Sequence, residues 1–195
     1  MTDMTKEKLA RILRCYRKSK ISDVRLKSSA VLMPIFCSEG QYHILFTERS
    51  EEVNFHKGQV CFPGGGPQRQ DANLLQTALR EAEEEINLKA KDVEIMGELD
   101  DCITHHSGYV ITPFVAFIPY PYPFELNTRE VEEIFSVPLS AFTGETNIRY
   151  DYHPPEADSA SDFAYEYEGH VIWGATARIL KRFSELLRSK SGALD

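Results

Sequence analysis

The stretch PGGGPQRQDANLLQTALREAEEEINL, residues 63–88, sets the tightest limit on the fold. Its glycine run lets the backbone turn sharply and come close to another chain or a ligand, because no side chain stands in the way. A polar turn follows, in which Asp71 or Asn73 is a suitable N-cap for the helix that comes next. Leu75, Leu79, Ala82 and Ile86 repeat along one face, so this helix docks on a core. Glu81, Glu84 and Glu85 stand at i, i+3 and i+4, which stacks their carboxylates on one face. Like charges at that spacing repel each other. Either the turn is a solvated acidic face, or a cation sits against it. Glu83 points elsewhere and reads as surface.

The segments around this helix are mostly strand-like. SSAVLMPIF (28–36) and YHILFTE (42–48) flank a Ser-Glu-Gly-Gln turn and predict a hairpin. QVCF (59–62) predicts a short strand entering the glycine run, and VEIMGEL (93–99) another strand. YVITPFVAFI (109–118) reads as a strand whose Pro113 suggests an edge or a bulge. VEEIFSVPLSAF (131–142) is extended and turns at Pro138, and IRYDY, FAYEYE and HVIW predict a further strand group turning at Gly169. Residues 5–18 and 175–188 read as terminal helices. Strands on both sides of one internal helix indicate an α+β fold, a mixed-sheet α/β/α sandwich.

With 195 residues, the chain suits a single domain, residues 1–195, with residues 1–27 as a helical extension docked at the N-terminus. The net charge of −8 excludes the electrostatic footprint of a nucleic-acid binder. It also means that an anionic substrate needs bound metal to reverse the local field. Cys15, Cys37, Cys61 and Cys102 form no C-x-x-C pair, so reduced thiols and a cytoplasmic setting are expected. No segment approaches the ~20 apolar residues of a membrane span, and no membrane partner is expected. Clustered carboxylates beside a glycine turn are hard oxygen ligands that favour Mg²⁺ or Mn²⁺ over zinc.

The same residues resemble the Nudix box, G-x5-E-x7-R-E-U-x-E-E-x-G-U, where U is aliphatic. Gly65, Arg80, Glu81, Ala82, Glu84, Glu85 and Leu88 fall on the pattern. Asp71 replaces its first Glu, eight residues rather than seven separate Asp71 from Arg80, and Asn87 replaces its last glycine. Asn tolerates the left-handed conformation, so the helix end survives the change. Upstream, ILFTERSEEVNFHKGQVCFPGG is similar to the signature of coenzyme A pyrophosphatases within that family, and the likeness spans residues 28–182. Asn54 stands where that signature has an arginine.

The resemblance implies a Nudix fold and a hydrolase that cleaves coenzyme A or its thioesters at the pyrophosphate. The products are 3′-phosphoadenosine 5′-monophosphate and 4′-phosphopantetheine or its acyl form. ADP-ribose, a dinucleotide or a nucleoside triphosphate is the alternative substrate class, and a non-catalytic nucleotide-sensing module the alternative of another kind. Glu81, Glu84 and Glu85 are the implied metal ligands, completed by the carbonyl of Gly65 or its neighbour Gly64. Arg80 locks a carboxylate by a charge-assisted bond. Arg49, His56, Lys57 and Arg69 are the implied phosphate contacts. The base is Glu81 or Glu85, or a carboxylate recruited from outside the box, with Glu98, Asp100, Asp101, Glu132 and Glu133 as the choices there. His105 and His106 read as loop residues and Cys61 as a small core residue. The partner is thus a coenzyme A-like nucleotide, and a homodimer is one admissible assembly.

Overall fold

The computed structural model describes residues 4–53, 57–104, 108–142, 148–152 and 161–191. It opens with α1 (Lys6–Cys15), capped by the Thr5 side chain on the N–H of Lys8. Strands β1 (Lys27–Ser38) and β2 (Gln41–Arg49) follow as the expected hairpin. Glu39 and Gly40 at its tip both have positive φ, the geometry whose twist matches a two-residue hairpin loop. Next come β3 (Val60–Cys61), β4 (Gly64–Gly65) and α2 (Leu74–Ile86). The chain continues through β5 (Glu94–Glu98), β6 (Cys102–Ile103), β7 (Tyr109–Phe117) and β8 (Val131–Pro138). It closes with β9 (Ile148–Tyr152), β10 (Ser161–Tyr167), β11 (His170–Ile172) and α3 (Gly174–Ser191).

The main sheet runs β3-β2-β1-β7-β5, with β8 on β2, β4 on β1 and β6 on β7. Among the described residues only β1 and β7 pair in parallel, so the sheet is mixed. The strands β11-β10-β9 make a separate antiparallel sheet. On one face Leu9, Ile12 and Leu13 of α1 and Leu180, Phe183 and Leu187 of α3 pack with Ile35, Ile44 and Phe46. On the other, Ala78, Ala82 and Ile86 of α2 pack with Leu32, Leu45 and Phe114. The result is the expected α/β/α sandwich, with α1 docked.

The sheet corrects one reading. Strand β7 is central, between β1 and β5, rather than an edge. Pro113 is tolerated there because its carbonyl accepts the N–H of Leu99 at 3.0 Å, at the break between β5 and β6. A residue's N–H and carbonyl face the same neighbour in a strand, so the missing donor falls where no ladder partner stands.

Candidate active site

The N-cap of α2 is Asn73, whose side chain accepts the N–H of Gln76. Asp71 is thereby free for a different task. Its carboxylate accepts from Arg80 Nε at 3.1 Å, from the Thr77 hydroxyl at 3.0 Å and from the N–H of Gln68 at 2.8 Å. Arg80 draws the Asp71 pKa down to about 2. The same guanidinium donates to Glu81 at 2.9 Å, to Glu84 at 2.7 Å and to the carbonyl of Gly66 at 3.1 Å. One planar fork thus ties the glycine turn to two acids of the helix. At the far end of α2, Asn87 adopts φ 58°, ψ 25°, and Leu88 N–H reaches the carbonyl of Ala82, a left-handed stop without glycine.

Burial separates the four acids. Glu83 is exposed and paired with Lys89, as expected of a surface residue. Glu84 is exposed, with its carboxylate on Arg80. Glu81 is largely enclosed, and loss of solvent raises its pKa. Glu85 is 2% exposed. Its one hydrogen bond among the described residues comes from Gly64 N–H at 3.2 Å, and Arg49 Nη1 stands off at 3.9 Å. Burial, with Glu81 and Glu130 adding repulsion, pushes Glu85 up to about 8 against that arginine.

Both glycines of β4 are required by close packing. A Cβ on Gly65 would lie 2.6 Å from Glu81 Cδ, and one on Gly64 2.3 Å from the carbonyl oxygen of Ala30. The Gly65 carbonyl accepts the Ser29 hydroxyl at 2.9 Å. Buried, under-neutralised carboxylates beside that carbonyl match a hard divalent cation. The donor set therefore fits Mg²⁺ or Mn²⁺. Anion-binding capacity is present too: Arg49 Nε is buried with no hydrogen-bond partner among the described residues.

A model described as the NUDIX domain matches residues 26–163. The chain belongs to the Nudix family. An uncharacterized Nudix hydrolase, NudL, from Photorhabdus laumondii is 36% identical over 159 residues, covering 82% of this chain and 84% of that one. Its counterpart from Yersinia enterocolitica is 37% identical over 158 residues, 80% of each. Among solved structures, a MutT/nudix family protein from Enterococcus faecalis superposes with TM-score 0.55 at 12% identity, covering 96% of this chain and 71% of that one. The chain is thus a Nudix hydrolase, a pyrophosphohydrolase of the class that generally uses divalent metal.

The Nudix fold brings together only part of the expected set. Glu81, Glu85, Arg80, Gly65 and Arg49 converge at the α2 face, with Glu84 on its rim. Arg69 is exposed in the turn before α2. Lys57 lines a cavity with Glu48 and His170, which packs on Phe135 on the α1/α3 face of the sheet. His56, Asn54, His105 and His106 lie outside the described residues. The Cys61 thiol is pushed up to about 11 by burial and by Glu85, which suits a core residue and not a nucleophile.

Four of the five outside carboxylates are occupied elsewhere. Glu98 pairs with Lys18, Asp100 with Arg182, and Glu133 with His170. Asp101 accepts from the N–H of Ile21 and the hydroxyl of Thr112. Glu132 is exposed. Among the described residues outside the box, Glu130, just before β8, lies near enough to repel Glu81 and Glu85, and sequence reasoning passed it over. Its carbonyl holds Ser50 N–H at 3.0 Å, and Asn127 links it to the end of α2 through the Glu85 carbonyl. Three acids crowd residues 130–133, and only the fold shows that Glu130 is the one near the helix acids.

Proposed function

We propose that the protein hydrolyses the pyrophosphate of coenzyme A or of its thioesters, using Mg²⁺ or Mn²⁺ held by Glu81, Glu84, Glu85 and the Gly65 carbonyl. The observation that carries the metal site is Glu85: a nearly fully buried carboxylate with, among the described residues, one hydrogen bond and its paired cation, Arg49, 3.9 Å away. When bound, the ion neutralises phosphate charge and makes phosphorus a better electrophile. The coenzyme A assignment rests on the likeness of residues 45–65 to the pyrophosphatase signature.

Each side chain then has a task. Arg80 fixes Glu81 and Glu84 so that neither must reorganise as charge develops. Arg49 turns its unspent Nε to a phosphate oxygen, and His56 and Arg69 keep the phosphate-binding role that the family resemblance implies. Glu130 orients the attacking water and takes its proton, because it is a carboxylate outside the helix near enough to repel Glu81 and Glu85. The buried walls of Glu81 and Glu85 exclude bulk water from that approach. Water adds at phosphorus as the phosphoanhydride oxygen leaves, giving 3′-phosphoadenosine 5′-monophosphate and 4′-phosphopantetheine or its acyl form.

Purified protein is incubated with Mg²⁺ or Mn²⁺ and coenzyme A, acetyl-coenzyme A, ADP-ribose, NADH, diadenosine polyphosphates and nucleoside triphosphates, with products identified by mass. Fastest turnover of coenzyme A compounds is expected. Preference for another member overturns the substrate assignment, and no turnover of any member overturns the catalytic reading.

A further inference from the structure

Across the sheet from α2, two acids are set directly against each other. Glu48 of β2 and Glu133 of β8 are opposed partners in the antiparallel ladder. Like charges in that position destabilise a sheet unless something positive lies between them. Glu51 and Glu132 add negative charge around Glu48. Among the described residues no lysine or arginine forms an ion pair with Glu48 or Glu133; their shared partner is His170 of β11.

His170 is held for one purpose. Its ring stacks on Phe135 of β8 with centroids 3.7 Å apart and planes 16° from parallel. Nδ1 is buried and has no hydrogen-bond partner among the described residues, so Nε2 is the ring's polar outlet. Nε2 stands 3.3 Å from Glu133 Oε2 and 3.9 Å from Glu48 Oε2. All three ligand atoms lie within 4.8 Å of one another. Ligands about 2.0–2.2 Å from a shared tetrahedral ion are roughly 3.3–3.6 Å apart, so the His170–Glu133 separation already fits and side-chain shifts of at most about 1.5 Å close the rest of the set. Above it opens a cavity of about 400 Å³, lined also by Glu51, Lys57, Tyr152 and Trp173, which leaves room for a fourth ligand.

We propose that Glu48, Glu133 and His170 form a second divalent-cation site, separate from the α2 carboxylates and suited to a borderline ion such as Zn²⁺. One imidazole and two carboxylates with an open fourth position is a donor set that Zn²⁺ accepts, whereas Mg²⁺ prefers an all-oxygen shell. The ion clips β11 of the small sheet to β2 and β8 of the main sheet. It also removes the repulsion between the opposed glutamates.

Metal-free protein is titrated with Zn²⁺ as wild type, His170→Gln and Glu133→Gln. Bound ion is counted by equilibrium dialysis, and the histidine ring nitrogens are followed by ¹⁵N NMR. Wild type is expected to bind one Zn²⁺ per chain more than either variant, with the His170 Nε2 resonance moving on Zn²⁺ addition. At a hundredfold excess over Kd, Zn²⁺ should raise the wild-type Tm by roughly 5–10 °C more than that of either variant. Equal stoichiometry in all three proteins, or an Nε2 resonance unmoved by Zn²⁺, overturns the proposal. Glu133 is exposed at the surface, so its variant decides the question even if His170→Gln fails to fold.

Discussion

Adding one methyl group at each of the two glycines of β4 separates what the fold needs from what the chemistry needs. In Gly65→Ala the new Cβ meets the Glu81 carboxylate, with Cδ and Oε1 at 2.6 Å and Oε2 at 2.8 Å. That carboxylate is the far end of a flexible side chain, so it retreats by about 0.8 Å to reach ordinary contact beyond 3.4 Å. The cost to stability is that of a displaced rotamer, about 0.5–1.5 kcal/mol. The cost to catalysis is larger, because a shift near 1 Å in a positioned group lowers the rate by about a hundredfold. In Gly64→Ala the methyl group instead meets backbone, the Ala30 carbonyl oxygen at 2.3 Å and Val31 Cα at 2.7 Å, at φ +159°. Neither atom can move without shifting β1, so this variant loses several kcal/mol and Tm falls by roughly 10 °C. Thermal unfolding, Mn²⁺ binding and kcat on the substrate that turns over would be measured for both. Wild-type kcat and Mn²⁺ affinity in Gly65→Ala, or equal Tm losses in the two variants, would refute the reasoning.

Three further outcomes follow from the same geometry. Glu85 has a folded-state pKa near 8, above the ordinary 4.5 of an unfolded glutamate, so it adds stability to the metal-free protein that is complete below pH 4.5. That stability is lost as pH rises toward 8, and because metal displaces the proton, Mg²⁺ affinity should climb by up to tenfold per pH unit over the same window. Calorimetric titration from pH 5.5 to 8.5 checks this, and a flat profile contradicts it. Glu84→Gln should lower kcat by about a hundredfold or more while far-UV circular dichroism stays unchanged, since its carboxylate is exposed and supports no core. Arg80→Lys keeps the charge but loses the fork that spans Asp71, Glu81, Glu84 and Gly66, so chemical denaturation should show a loss of about 1–3 kcal/mol together with reduced kcat.

The readings that survived best were local ones. The two-residue hairpin loop at Glu39–Gly40, the cap at Asn73 and the left-handed stop at Asn87 all follow from the conformations open to a few neighbouring residues. The spacing of Glu81, Glu84 and Glu85 is likewise a property of the helix alone. Pro113 misled because its effect depends on the neighbouring strand: the break between β5 and β6 makes a proline acceptable in the middle of the sheet. Asp71 was equally ambiguous, since a capping role and an arginine pair nine residues away are indistinguishable before the turn is folded.

The sequence by itself determined the elements, the acid spacing on α2 and, through the box and its upstream flank, the family. Helix periodicity and turn chemistry are short-range, so they are written in adjacent residues. Only the tertiary structure decided that Glu85 is enclosed and Glu84 exposed, that Glu130 joins the cluster, and that His170 meets Glu48 and Glu133. Burial and charge depend on which segments pack together, and those segments stand far apart in the chain.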